Sequence, residues 1–265
     1  MVDKSEKFSW LVRVGYFARA ILYTMLGIVA LTSAAEISQG TDGIFRAIEG
    51  FPAGTAILWI MVIGLFGYSL FRFASPLFDI ENNGSDGTGW AKRIGHAGSG
   101  IGHAILAYAA FQFASGSGGS SGGGAEGAAQ GVLAMSFGGA VLGILGILFF
   151  ITALVQLKKA VTADFMNRIS GGAPSSTKLL GRIGYAARAV VYAVIGWSLV
   201  RAGFLSGDGD QIRTLGDALA ELAGSGALFT ATAIGLLLFG LFSFVLARYR
   251  IIPELSSDGV PQFRG

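Results

Sequence analysis

The sequence predicts an all-α integral membrane protein of six transmembrane helices, arranged as three parallel tandem two-helix repeats with a pseudo-threefold axis along the membrane normal. Three observations lead there. Only 13% of the 265 residues are charged and 52% are hydrophobic, whereas a soluble domain carries roughly 25% charged residues. Apolar runs close to the spanning length of about 20 residues recur along the whole chain. One short pattern of arginine, glycine and tyrosine or histidine opens three of those runs.

The apolar segments are 14–35, 53–75, 94–115, 132–157, 183–204 and 225–247. They are read as helices, because a backbone in lipid must satisfy its polar groups within its own segment. A β-barrel would need short alternating stretches, which this sequence lacks. Lys4, Lys7 and Arg13 precede the first run as in a signal peptide. That run is too long for a cleaved leader and its start recurs later, so it is read as a retained first helix. Pro52, the Gly-Ser stretch 115–124 and Pro174 fall between spans, where breakers belong. The repeats divide as 1–80, 81–165 and 166–250, with 251–265 as a cytoplasmic tail. Of the 42 glycines, those within apolar segments read as helix faces where backbones pack closely. With no cysteine, disulfides and thiolate metal sites are excluded.

The connections alternate in charge. The N-terminus, the second and fourth loops and the tail hold 14 of the 19 basic residues, among them Lys92, Arg93, Lys158, Lys159, Arg248 and Arg250. The first, third and fifth loops hold only Arg46, Arg201 and Arg213, together with acidic residues such as Glu36, Asp42, Glu126, Asp208 and Asp210. The positive-inside rule then places both termini in the cytoplasm.

The repeat is visible by eye. Copy one begins Arg13-Val14-Gly15-Tyr16-Phe17-Ala18-Arg19 and reaches Tyr23. Copy three begins Arg182-Ile183-Gly184-Tyr185-Ala186-Ala187-Arg188 and reaches Tyr192. Copy two runs Arg93-Ile94-Gly95-His96-Ala97-Gly98-Ser99 and reaches His103. Second helices match more weakly: Arg72 aligns with Gln156, and Gly67 is paired with Gly240. Two-helix copies all enter the membrane in the same direction, so they are related by an axis along its normal. Each second helix is preceded by a short segment, Ile44 to Ile48, Val132 to Met135 and Leu215 to Leu219. These segments read either as amphipathic pieces on the outer membrane surface or as frayed helix starts.

The triplicated start, and the ending from Gly240-Leu241-Phe242-Ser243 to Ala247-Arg248-Tyr249-Arg250, resemble the bacterial membrane proteins grouped as domain of unknown function 1206. The resemblance covers nearly the whole chain. It implies three two-helix domains in a bacterial inner (plasma) membrane, and it brings no activity or site residues with it. Copy two departs from the pattern, with His96, Ser99 and His103 where the other copies have Tyr, Arg and Tyr.

Ionisable residues within a span are functional candidates. Arg19 and Arg188 lie about 9 Å inside their helix starts at a rise of about 1.5 Å per residue. Spacings of three and four place Tyr16, Arg19 and Tyr23 near one face, and Tyr185, Arg188 and Tyr192 repeat it. His96, Ser99 and His103 hold the matching face of copy two. No Asp or Glu lies in the central part of any span. Helix side chains lean toward the N-terminus, so both arginines can snorkel to the inner headgroups. A structural role buried between hairpins and a site for an anionic solute are the other readings. The two histidines, seven residues apart on one face, are too far apart along the axis for one metal ion, and haem would need a histidine from another helix. The Gly-rich stretch 115–127 lacks the ending of a phosphate loop and reads as a linker.

Nucleophile arrangements and paired carboxylates in the membrane are missing from the sequence, so an enzyme is not expected; nor is any cofactor, metal or nucleic acid. The expected function is a non-enzymatic lipid- or partner-binding assembly protein, with the bilayer, anionic headgroups or another membrane protein as partner. The alternative is a small channel or carrier for an anion or small solute that uses the intramembrane arginines.

Overall fold

The computed structural model describes residues 4–32, 40–78, 84–118, 131–206, 215–252, 254–255 and 261–262. Most of the Gly-Ser linker lies outside these residues, as do Glu36, Glu126, Asp208, Asp210 and Arg213. Among them, eight α-helices follow one another: α1 Lys4–Thr32, α2 Gly40–Glu49, α3 Gly54–Phe78, α4 Gly87–Ala114, α5 Gly138–Thr162, α6 Thr177–Val200, α7 Leu215–Leu222 and α8 Ala227–Tyr249. A π-helical turn, Arg201–Ser206, prolongs α6. Besides one bridge between Ile169 and Arg250, strand pairing among the described residues is limited to Glu254–Leu255 against Pro261–Gln262, within the segment read as a tail. The fold is therefore all-helical.

Among the described residues, five stretches are long and apolar enough to cross a membrane: Val12–Thr32, Gly54–Ala74, Gly138–Thr162, Thr177–Leu205 and Ala227–Tyr249. Their outward faces are apolar. Ile60, Ile63, Phe66 and Leu70 of α3 are exposed, as are Ile144, Ile151 and Leu154 of α5. So large an apolar surface suits lipid rather than water. The expected third span lies in α4, which has the length (28 residues) but not the apolarity. Lys92, Arg93, His96, His103 and six glycines dilute it.

Packing follows the repeat in a definite order. The second helix of one copy lies along the first helix of the next: α3 along α4, α5 along α6, and α8 along α1. Within copies one and three the two helices also pack on each other, α1 on α3 and α6 on α8. Among the described residues no comparable packing joins α4 to α5, so copy two is parted.

The motif glycine explains which copies close. A Cβ added to Gly15 would lie 2.8 Å from the Cβ of Tyr68, and one added to Gly184 would lie 2.7 Å from that of Phe239. Each glycine thus lets its own second helix approach. A second contact runs the other way, with Gly64 seated on Ala18 and Gly235 on Ala187. These contacts make Tyr68 equivalent to Phe239 and Gly64 equivalent to Gly235, which corrects the pairing of Gly67 with Gly240. Gly54 and Gly138 open α3 and α5 in the same way, each tight against the carbonyl of a preceding turn. Counting from them, copy two has Leu148 and Thr152 where the closed copies have glycine and an aromatic ring. A leucine in place of the glycine keeps α5 off α4, and threonine supplies no ring to fill the seam. Gly95, Gly98 and Gly102 on α4 accordingly have nothing within 4 Å of a would-be Cβ.

The short outer segments differ from both expectations. In copies one and three they are separate helices, α2 and α7, which pack on each other and against the long helices. Phe45, Ile48, Ala218 and Leu219 are fully buried there, so the apolar faces meet protein instead of a membrane surface. In copy two the segment is a single turn before α5, with Met135 and Phe137 exposed.

Equal substitutions at the motif glycines should therefore have unequal effects. Gly184→Val is expected to destabilise the protein by about 1–3 kcal/mol through overpacking. Gly95→Val, on the open face, should stay within about 0.5 kcal/mol of the parent. Denaturant unfolding in detergent distinguishes them, and equal losses would contradict the parted copy.

Candidate functional site

The first residue of the repeat motif ties the copies together. Arg13 of α1 donates from Nη1 to the carbonyl oxygens of Ala247 (2.9 Å) and Arg248, at the end of α8. Arg182 of α6 repeats this on α5, from Nε to Ala160 O at 2.8 Å and from Nη2 to Val161 O at 3.2 Å. A helix end leaves carbonyls without intrahelical partners and carries a partial negative charge. A guanidinium there satisfies both needs, so in copies one and three the motif arginine caps the second helix packed beside it.

One turn and a half further in, α1 turns Tyr16, Arg19 and Tyr23 toward α3 and α8. Arg19 is only 4% exposed. Its Nε donates to Ser243 Oγ and its Nη1 to the Tyr68 hydroxyl, each at 3.2 Å. Its guanidinium lies over the rings of Tyr16 (4.6 Å), Phe239 (5.0 Å) and Tyr68 (5.5 Å). Arg188 of α6 is 7% exposed. Its Nη2 donates to the Tyr192 hydroxyl, and its guanidinium lies 4.6 Å from the centre of the Phe239 ring, 4.8 Å from that of Tyr192 and 5.5 Å from that of Tyr23. Phe239 is thus shared by both arginines. Tyr23 and Tyr185 meet it edge-on at 4.9 and 5.5 Å. Cation–π contacts of this kind contribute about 0.5–2 kcal/mol each, more as water is excluded.

Copy two joins the same network from the side of α3. Tyr68 accepts a second hydrogen bond, from Arg72 Nε at 3.0 Å, and Arg72 Nη1 donates to His96 Nδ1 at 2.8 Å. An accepting Nδ1 puts the ring proton of a neutral His96 on Nε2. His103 packs on the Tyr68 ring at 4.6 Å. Its Nδ1 lies 2.7 Å from the carbonyl oxygen of Ser99, and a carbonyl only accepts, so this nitrogen bears the proton. Ser69 Oγ fixes α3 to α4 by donating to Gly100 O at 2.8 Å.

All nine residues singled out from sequence connect through Tyr68, Phe239 or Arg72. Arg19 and Arg188 do not snorkel. Their helix face is turned to neighbouring helices instead of lipid, so the guanidinium groups stop at rings and hydroxyls inside the protein. His96 contacts neither of them, meeting Arg72 instead. Sequence reasoning missed the partners contributed by second helices: Tyr68, Arg72, Phe239 and Ser243. The signal was weak, because only copies one and three keep an aromatic at that position and the alignment of second helices was displaced. Among the described residues no group of His, Asp or Glu is placed to hold a metal ion, and no carboxylate meets Arg19 or Arg188.

The model of the family described as Domain of Unknown Function (DUF1206) matches residues 14–78, 94–163 and 183–250, once on each two-helix copy. The chain is 31% identical over 260 residues to a Bacillus subtilis (strain 168) protein called uncharacterized protein YxxB, covering 93% of this chain and 94% of that protein. No solved structure matches it. The chain belongs to the DUF1206 family, with three tandem copies of its unit.

Tyr68 holds two guanidinium groups with one oxygen, so its hydroxyl is the most exposed point of the network to mutation. Tyr68→Phe keeps the ring and removes the acceptor. It should cost about 1–3 kcal/mol, the penalty for buried donors left unpaired. Thermal unfolding in detergent reads this, and a variant as stable as the parent would contradict the assigned bonds.

Proposed function

We propose that this is a non-enzymatic protein of the bacterial inner membrane that binds lipid or another membrane protein at its parted second copy. In this reading all six long helices span, and the three copies stand in pseudo-threefold order with both termini in the cytoplasm. At about 1.5 Å per residue, the 28 residues of α4 reach across a bilayer core of about 30 Å. The cyclic packing of second helix on next first helix supports the threefold order. The clustering of basic residues on one set of connections supports the orientation.

One observation carries the binding role. The motif glycine that receives a second helix in copies one and three has nothing opposite it among the described residues in copy two, and Gly98 and Gly102 extend that open strip. Glycine faces serve close approach of another chain or an acyl tail in a membrane. The exposed apolar side chains beside it, Ile94, Ile101 and Ile105, suit the same neighbours. The alternative, a channel or carrier for an anion, draws on Arg19 and Arg188. It is the weaker reading, because transport folds of this kind usually break their helices near the site, whereas α1, α6 and α8 run unbroken past the arginines.

The test is recovery of what occupies α4. The protein is purified in mild detergent from its native membrane, and bound lipid and protein are identified by native mass spectrometry. Near-stoichiometric recovery from the parent, lost in Gly98→Leu, is the expected result; Gly98 has room for the larger side chain, so the fold should survive. Recovery of neither lipid nor protein, or equal recovery from the variant, would sink the assignment.

A further inference from the structure

Two positive charges lie inside the helix assembly with no opposite charge beside them among the described residues. Arg19 and Arg188 are each more than nine-tenths buried. Each also keeps one buried nitrogen without a hydrogen-bond partner among the described residues: Nη2 of Arg19 and Nε of Arg188. The two guanidinium carbons lie 5.0 and 4.6 Å from the centre of the same Phe239 ring. Sharing that ring keeps them no more than about 10 Å apart. Their remaining polar partners are the hydroxyls of Ser243, Tyr68 and Tyr192.

Hydroxyls and rings orient a guanidinium but do not neutralise it. An uncompensated buried charge is strongly unfavourable, and arginine does not escape by losing its proton. No side chain among the described residues supplies that negative charge. We infer that Arg19 and Arg188 jointly hold a phosphate-type oxyanion between α1, α6 and α8. Guanidinium N–H groups match such an anion in both charge and geometry, and the two unpartnered nitrogens carry donors to bind it. Two arginines and no carboxylate suit an anion of one or two charges. The group is either free inorganic phosphate or the phosphodiester of a membrane lipid. The inference stands apart from the binding role of copy two, because Gly98 and the open strip contribute nothing to it.

The test uses the full chain, delipidated in detergent and titrated calorimetrically with two probes: sodium phosphate and a short-chain phosphatidylglycerol. The parent should bind at least one of them saturably. Arg19→Gln combined with Arg188→Gln should weaken that binding roughly tenfold or more, the scale of a lost charge-assisted hydrogen bond. Lys158→Gln, a surface charge outside the site, should leave binding unchanged. Binding of phosphate supports the inference with a free anion as ligand; binding of the lipid alone supports it with a headgroup as ligand. No saturable binding of either probe by the parent, or undiminished binding by the double variant, overturns it. Where the double variant does not fold, Arg188→Gln alone is read in its place with the same two outcomes.

Discussion

Burying a guanidinium is costly unless its N–H groups and its charge are both answered, and this protein does it twice around a single phenyl ring. Phe239 lies under Arg19 of one copy and Arg188 of another. Its position is fixed from behind by Gly184, which admits the backbone of α8. Ser243, one turn further along α8, donates its own proton to Phe239 O and accepts from Arg19. Tyr68 takes the remaining load on the α3 side. A shift of α8 along its axis would unseat both arginines together, so the close seams between helices and the polar centre depend on each other.

The same dependence shows why the copies are not equal. A closed copy needs a glycine on each helix and an aromatic residue on the second. Copies one and three have Gly15 with Gly64 and Tyr68, and Gly184 with Gly235 and Phe239. Copy two has the first-helix glycine but Leu148 and Thr152 opposite, and it lacks the buried arginine as well. Seams between copies are kept all the same. Gly146 and Gly196 let α5 and α6 meet backbone to backbone, and Arg182 caps the end of α5. The second copy is therefore split between its neighbours, with α4 held by copy one and α5 by copy three.

Much of this was legible in the sequence. The repeat, the helical class and the face carrying Tyr16, Arg19 and Tyr23 follow from spacing alone. The direction of that face does not. Periodicity says which residues share a side of a helix, not whether lipid or another helix lies against it, and so snorkelling was a reasonable reading of Arg19 and Arg188. Tyr68 and Phe239 were not found because second helices are nearly uniform in hydrophobicity, and equivalence there is set by contact rather than by residue type. The parting of copy two was written in Leu148 and Thr152, but it is readable only once Gly64 and Gly235 are known to be the contacts that close the other copies.

The absence of cysteine makes one measurement decisive. Cysteine pairs are placed at equivalent positions of the three hairpins: Ala18 with Gly64, Gly98 with Leu148, and Ala187 with Gly235. Oxidative cross-linking in native membranes is then followed by gel mobility after proteolysis. A disulfide needs Cβ atoms about 3.5–4.5 Å apart. The account predicts cross-links in the first and third pairs, whose would-be Cβ atoms lie 2.0 and 2.4 Å apart and reach that range once the helices separate slightly, and none in the second. A cross-link between Gly98→Cys and Leu148→Cys as fast as the other two would mean that copy two closes like its neighbours, and the account would fail.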